Sequence, residues 1–390
     1  RRILEFTQRG GQVFVIVAGI NVGAQSYWNS VATMLNHCAG MLVMVEGTSM
    51  VLTGRRALAR SGGVSETDDT LLGGYGAVMG PNGQSHHVAP DFGQAYRMVL
   101  LHHEMLADTS RPRYTCDPWD RDVCSSREIA SILDHRHNPA RKTPFAIRPV
   151  MEALKDTDSG LLERWSDASG ADGAVVWDTR VGGRAVTLIG IESHHRRDAD
   201  GPGENQTWWA AGTLYPAAAK KIARALNHAS GRRPVAVLAN LAGFDGSAWS
   251  LRNHQLEFGA EIARAVVNFD GPIVVFVIGR FHGGAYVVFN KTLNDGVRML
   301  AVEGTKVSVI GGSAAAEVVL TKKVQARAAE LEGDAHAAAA EVASEFDAVH
   351  SVERAHAVGS VDAVIAAGQL RPAMIGELNA ACDARELRSG

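Results

Sequence analysis

The chain repeats itself, and that repeat limits what it can fold into more than any other feature. Val45-Glu46-Gly47-Thr48 returns as Val302-Glu303-Gly304-Thr305, 257 residues later. At the same offset Gly54 meets Gly311, Ala57 meets Ala314, and Ala59 meets Ala316. A β-type run stands upstream of each copy: Val13-Phe14-Val15-Ile16-Val17-Ala18 in the first, Ile273-Val274-Val275-Phe276-Val277-Ile278 in the second. Each run ends in small residues, Val22-Gly23-Ala24 and Gly283-Gly284-Ala285, at an offset of 261, so a four-residue indel separates the two blocks. Two copies of one α/β unit are the simplest reading, and 390 residues exceed what one average core serves.

Run length and punctuation sketch each unit. A buried strand enters a glycine-bearing turn, a helix follows, then a second strand at Met50–Thr53 or Val307–Ile310. A helix opens after Gly54 or Gly311. Ala185–Ile191 and Val235–Asn240 read as buried strands, with a helix over Ala217–Leu226 between them. The stretch from Ala314 to about Phe346 has helix-forming composition. Asp108–Lys142 lacks a period and reads as a polar connection. The expected units are 1–160, read as truncated at its start, and 161–390.

A net charge of −3 argues against a nucleic-acid surface. No apolar run is long enough to cross a bilayer, and no signal-peptide pattern opens the chain. Cys38, Cys116, Cys124 and Cys382 form no CxxC pair, which suits a reducing cytoplasm better than a disulfide scaffold or zinc ribbon. The doublets His86-His87, His102-His103 and His194-His195 are poor metal units, because neighbouring side chains point apart. No metal is expected. P-loop, dinucleotide and GxSxG signatures are all missing.

The two strand–turn–helix junctions remain. A helix N-terminus leaves backbone N–H groups without partners, and small residues let another molecule approach them. Paired donors around Gly23-Ala24 and Gly284-Ala285 can stabilise an oxyanion, an interaction worth about 3–4 kcal/mol per donor in acyl-transfer enzymes. One such junction has a bland explanation in close packing; two in matching positions suit a reaction of two substrates. Glu46 and Glu303 read as surface or capping carboxylates. The basic clusters Arg55-Arg56-Arg60, Lys220-Lys221-Arg224 and Arg232-Arg233 are able to grip phosphates, though solvated helix faces explain them equally well.

These segments, taken in order, resemble the carboxyltransferase component of biotin-dependent acyl-CoA carboxylases, built from two crotonase-like halves. The resemblance rests on Val45-Glu46-Gly47 through Gly54, Leu72-Gly73-Gly74, and Gly83-Gln84-Ser85-His86. It continues in Leu238-Ala239-Asn240 with Gly243-Phe244, Gly283-Gly284-Ala285-Tyr286, and Gly359 through Ile365 with Arg371. The Leu-Ala-Asn…Gly-Phe form is closer to the large multidomain acetyl-CoA carboxylases than to the short propionyl type. The resemblance implies an α/β fold of two tandem crotonase-like superhelix units.

It also implies a reaction: CO2 passes from N-carboxybiotin to the α-carbon of an acyl-CoA. One backbone oxyanion hole, around Gly23 and Ala24, and a second, around Gly283, Gly284 and Ala285, would hold the thioester enolate and the biotin ureido oxygen. Which hole serves which partner stays open, and no side-chain base is required. His194 stands where relatives carry an arginine that meets the substrate carboxylate, and Arg280 where they carry a glutamate. With Tyr286, Val287, Arg55 and Arg56, they are candidate substrate-binding residues. Biotin would arrive on a carrier domain, with biotin carboxylase, from another chain or a missing part of this one. The assembly would be at least a homodimer, without nucleic acid or membrane. A biotin-dependent decarboxylase and a non-catalytic scaffold are the alternatives.

Overall fold

A computed structural model describes residues 1–33, 40–61, 68–107, 112–197 and 208–389. Cys38 and the start of the expected polar connection at 108–111 lie outside the described residues. The architecture is mixed α/β. Near the start, Phe14–Val17, Met41–Val45 and His87–Ala89 form a parallel three-stranded sheet with Met41–Val45 in the middle. Beside it, Ile20–Val22 pairs in parallel with Ser49–Val51.

The rest of the chain builds, among the described residues, an eight-stranded sheet. Its order runs Ala363–Ile365, Val297–Val302, Ile273–Phe281, Val235–Leu241, Arg184–Ile191, Ala174–Val181, Leu162–Glu163, with Lys306–Val307 alongside the end of Ile273–Phe281. The first five are parallel, and the last two join antiparallel. The central strands are almost wholly apolar because both faces are covered. Val235, Val237 and Ala239 face helices Pro216–Ala229 and Gln255–Val267, through Ile222, Leu226, Ile262 and Val266. The alternate residues Ala236 and Leu238 face Ile147–Leu154 and the start of the last helix, through Val150, Met151, Leu370 and Met374. The two-residue strand period divides one sequence between two cores.

Several boundaries differ from expectation. The polar connection is not mere loop: Arg127–Leu133 is a helix that buries Ile129, Ile132 and Leu133 against the larger sheet. That sheet's core begins at Val123, ahead of the expected boundary near 160. The later strands of each repeat are shorter than read, at Ser49–Val51 and Lys306–Val307. The helix-rich stretch after Ala314 breaks into a wide turn at Ala315–Val319 and helices Thr321–Glu330 and Ala335–Val349. Glu332 (φ 52) and Gly333 (φ 91) make that second break, since a left-handed residue ends a right-handed helix. Among the described residues, no helix is long and apolar enough to cross a membrane.

The two sheets meet through polar contacts. Trp165 N–H donates to the His86 carbonyl at 3.1 Å, and Ser169 N–H to the Pro81 carbonyl at 2.9 Å. Below them lies an ionic cluster of fully buried Arg164, Asp178 and Arg233, contacted by His102 and His228.

Candidate functional site

The two bends have one geometry. Gly23 (φ 63) and Gly283 (φ 66) each take the left-handed conformation that glycine adopts without penalty. Each donates its N–H to a carbonyl further along the chain, Gly23 to Val51 O at 2.9 Å and Gly283 to Val309 O at 2.8 Å. In each the N–H three residues on returns to the glycine carbonyl, from Ser26 at 3.1 Å and Tyr286 at 3.1 Å. The equivalent residues are therefore Gly23 and Gly283, one residue off the match of Gly23 with Gly284 read from sequence. The recurring tetrapeptides match too: Gly47 (φ 75) and Gly304 (φ 74), with Thr48 and Thr305 each donating to the carbonyl three residues back at 3.2 Å.

This corrects the expected donors. The N–H groups of Gly23 and Gly283 are spent internally, so these glycines turn the chain and do not face a ligand. The helices open at Ala24 and Gly284. First-turn N–H groups have no carbonyl within their own helix. Among the described residues, Ala24 and Gly284 N–H find no acceptor elsewhere. Ala285 follows as the second helical residue. Neither bend is sealed: Ala24 and Gln25 are exposed, Gly283 and Gly284 half-exposed. Ser26 holds the first bend, its buried Oγ 3.1 Å from Asn21 O and 3.0 Å from Val51 O. Ser26→Ala is expected to cost about 1–2 kcal/mol in chemical denaturation, the usual worth of a buried hydroxyl contact.

The second bend sits in a built surround that sequence reasoning missed. Asn240 donates from Nδ2 to Ser193 Oγ at 3.0 Å and accepts from Arg280 N–H at 2.8 Å. One amide thus ties the loop carrying His194 to the strand leading into the bend. A Cβ on Gly284 would lie 2.3 Å from Phe244 Cδ2, so glycine is required there by the Phe244 ring. Asn240 and Phe244 belong to the motifs quoted above, but nothing in their spacing announces these contacts.

The other candidates scatter. His194 is partly exposed, with Nδ1 2.8 Å from buried Glu192 Oε1, which also accepts from Ser193 and Ile147 N–H. Arg280 is half-buried, its Nε without a hydrogen-bond partner; burial lowers its pKa, and Asp347 pulls the other way. Tyr286 packs 6.0 Å from Phe281, and its hydroxyl donates to Ser360 Oγ at 3.2 Å. Val287 is exposed and free to serve as a wall. Arg55 N–H donates to Asp69 Oδ1 at 3.2 Å, and Arg56 is exposed. Among the described residues, Cys116, Asp117 and Asp158 form a group of metal-ligand type. Its carboxylates already accept from Thr115, Cys116 N–H, Arg121 and Thr157.

The family model for the carboxyl transferase domain matches residues 11–389. The chain is 28% identical over 275 residues to the mitochondrial acetyl-CoA carboxylase of Saccharomyces cerevisiae, covering 65% of this chain and 12% of that protein. It is 26% identical over 291 residues to the acetyl-CoA carboxylase of Schizosaccharomyces pombe, covering 69% and 12%. The chain thus spans about 12% of the length of these relatives. In fold it is similar to transcarboxylase 12S, solved as a hexamer with methylmalonyl-coenzyme A and methylmalonic acid bound. That match has a TM-score of 0.75 at 21% identity, over 95% of this chain and 65% of that one.

Proposed function

The chain belongs to the carboxyl transferase domain family, and from that premise we propose that it transfers CO2 between N-carboxybiotin and the α-carbon of an acyl-CoA. The observation that carries this reading is the matched pair of bends, each with its glycine N–H held by an internal carbonyl and the following helix N–H left open. A pair of anion holders on two separate sheets suits two reactants that each develop negative charge on oxygen. Carboxybiotin, when bound, supplies CO2 and then a ring nitrogen able to take the α-proton. The chain's own part is to hold charge. The open N–H groups at Ala24 or Gly284 would stabilise the thioester oxygen as the α-proton leaves. The other bend would hold the ureido oxygen, and the enolate carbon then attacks CO2.

The shared bend geometry supports two tandem crotonase-like units, with the second unit's core drawing in residues from Val123 onward. The carrier and biotin carboxylase would lie on other chains or other parts of this one, in a reducing compartment such as the cytoplasm. From the family resemblance, and from the hexamer of transcarboxylase 12S, we infer an assembly of at least two subunits in which one subunit's first bend faces another's second. His194, held by Glu192, and Arg280 would shape selectivity for the acyl group.

The test is direct. Purified protein given malonyl-CoA or methylmalonyl-CoA with free biotin is expected to release CO2 only when biotin is present. Turnover absent with every malonyl-type thioester, while CoA still binds, would sink the transferase reading and leave a scaffold.

A further inference from the structure

Away from both bends, a hollow of about 360 Å3 opens where the turn at Gly83 meets helix Pro216–Ala229. Its walls carry Lys220, Lys221 and Arg224 together with Trp165, Trp249 and Phe258. Lys221 is 4% exposed, yet among the described residues its ammonium has no hydrogen bond or ion pair. Glu163, Asp172 and Asp167 favour its charge from a distance, while Glu163 pairs directly with Arg148 and Asp172 lies 3.9 Å from Arg196. Burial presses the Lys221 pKa down to about 8, so it is still charged near neutrality. Trp165 is 2% exposed and its indole N–H is also unpaired. Among the described residues Lys220 makes no ion pair, and it rests 5.3 Å above the Phe258 ring. At the rim His254 holds φ 68, an unusual conformation for a residue other than glycine.

The enclosed indole N–H of Trp165, left without an acceptor, is costly unless something accepts from it, and the Lys221 ammonium beside it adds a charge that attracts an anion. Rings beside them offer faces for a planar group, and the volume is that of a small-molecule site. We propose that this hollow binds a mononucleotide, its phosphate on Lys221, Lys220 and the Trp165 N–H and its base against Trp249 and Phe258. Arg224 donates to Gly83 O at 2.9 Å and braces the wall. The hollow shares no lining residue with either bend.

Calorimetry with adenosine 5′-monophosphate, adenosine and inorganic phosphate tests it. Saturable monophosphate binding below about 1 mM is expected, with adenosine and phosphate each at least about tenfold weaker. Lys220→Glu should weaken the monophosphate by about tenfold or more and leave the KM for acyl-CoA unchanged. Lys221→Met should do the same, with thermal unfolding confirming that the buried variant is folded. Three results overturn the proposal: no saturable binding of the monophosphate, equal affinity for phosphate alone, or binding that survives both substitutions. Competition with acyl-CoA, joined to a raised KM in Lys220→Glu, also overturns it, because the nucleotide would then be reporting the acyl-CoA site.

Discussion

Gly284→Val is expected to lower carboxyl transfer by about 100- to 1000-fold, the scale of losing one oxyanion donor. The reason is steric. Gly284 opens its helix without a left-handed φ, so its backbone accepts any residue, but its Cβ would lie 2.3 Å from the Phe244 ring. Ring or helix end must move, and the Gly284 amide loses its aim. If the second bend serves biotin, the dissociation constant for acyl-CoA should stay within about twofold, a difference under half a kcal/mol. An equal loss of acyl-CoA affinity would reverse the assignment of the two bends. A repacking control guards against simple misfolding: Phe244→Ala combined with Gly284→Ala should recover much of the activity that Gly284→Ala loses alone. Failure of that rescue in a folded double variant would show that the ring is not what demands glycine.

The bends were legible because they are local. Gly23 and Gly283, Gly47 and Gly304 mark turns whose hydrogen bonds close within a few residues or reach the neighbouring strand, so the repeated residues carry the geometry with them. The one-residue error in matching the bends arose because Gly283 and Gly284 stand side by side, and only φ separates turning glycine from donor. What the sequence hid is long-range. Arg141, inside the apparently featureless connection, is buried and reaches the carbonyls of Glu303 and Leu133, clamping the second tetrapeptide from 162 residues away. A charged residue in a polar stretch gives no sign that its side chain will be buried. Arg371 looked like part of a closing motif; it is a fully buried strut to Asp156 and the Leu154 and Pro118 carbonyls. Asn240 is the intermediate case, inside a recognised motif yet acting through a side chain whose partners lie 47 residues before it and 40 after.

The ionic cluster between the sheets gives the largest expected change in stability. Asp178 accepts from Arg164, from Arg233 at 2.9 Å and from Thr187 Oγ at 2.8 Å, with no solvent exposure. Burial alone would raise its pKa, but the two guanidinium charges outweigh burial and hold it well below the usual carboxylate range. Asp178→Ala strands two buried cations and should cost about 3–5 kcal/mol. Acid attacks the same place from its histidines. Burial first, then the Arg164 charge, holds His86 and His228 far below the ordinary value and His87 at about 3. All three stay neutral when folded, whereas in the unfolded chain they take protons below about pH 6.5. The unfolded state then binds more protons, so stability falls as pH falls, by about 1.4 kcal/mol per unit for each histidine. Three together give about 4 kcal/mol per unit down toward pH 4, below which the Asp178 contribution begins to go as well. Thermal melts at pH 7.5, 6.5 and 5.5 should show little change over the first step and a steep drop over the second. His228→Gln should reduce that slope by about a third. A melting temperature that holds level down to pH 5 would mean that the folded cluster takes up protons as readily as the unfolded chain, and the account of a desolvated, cation-rich junction would be wrong.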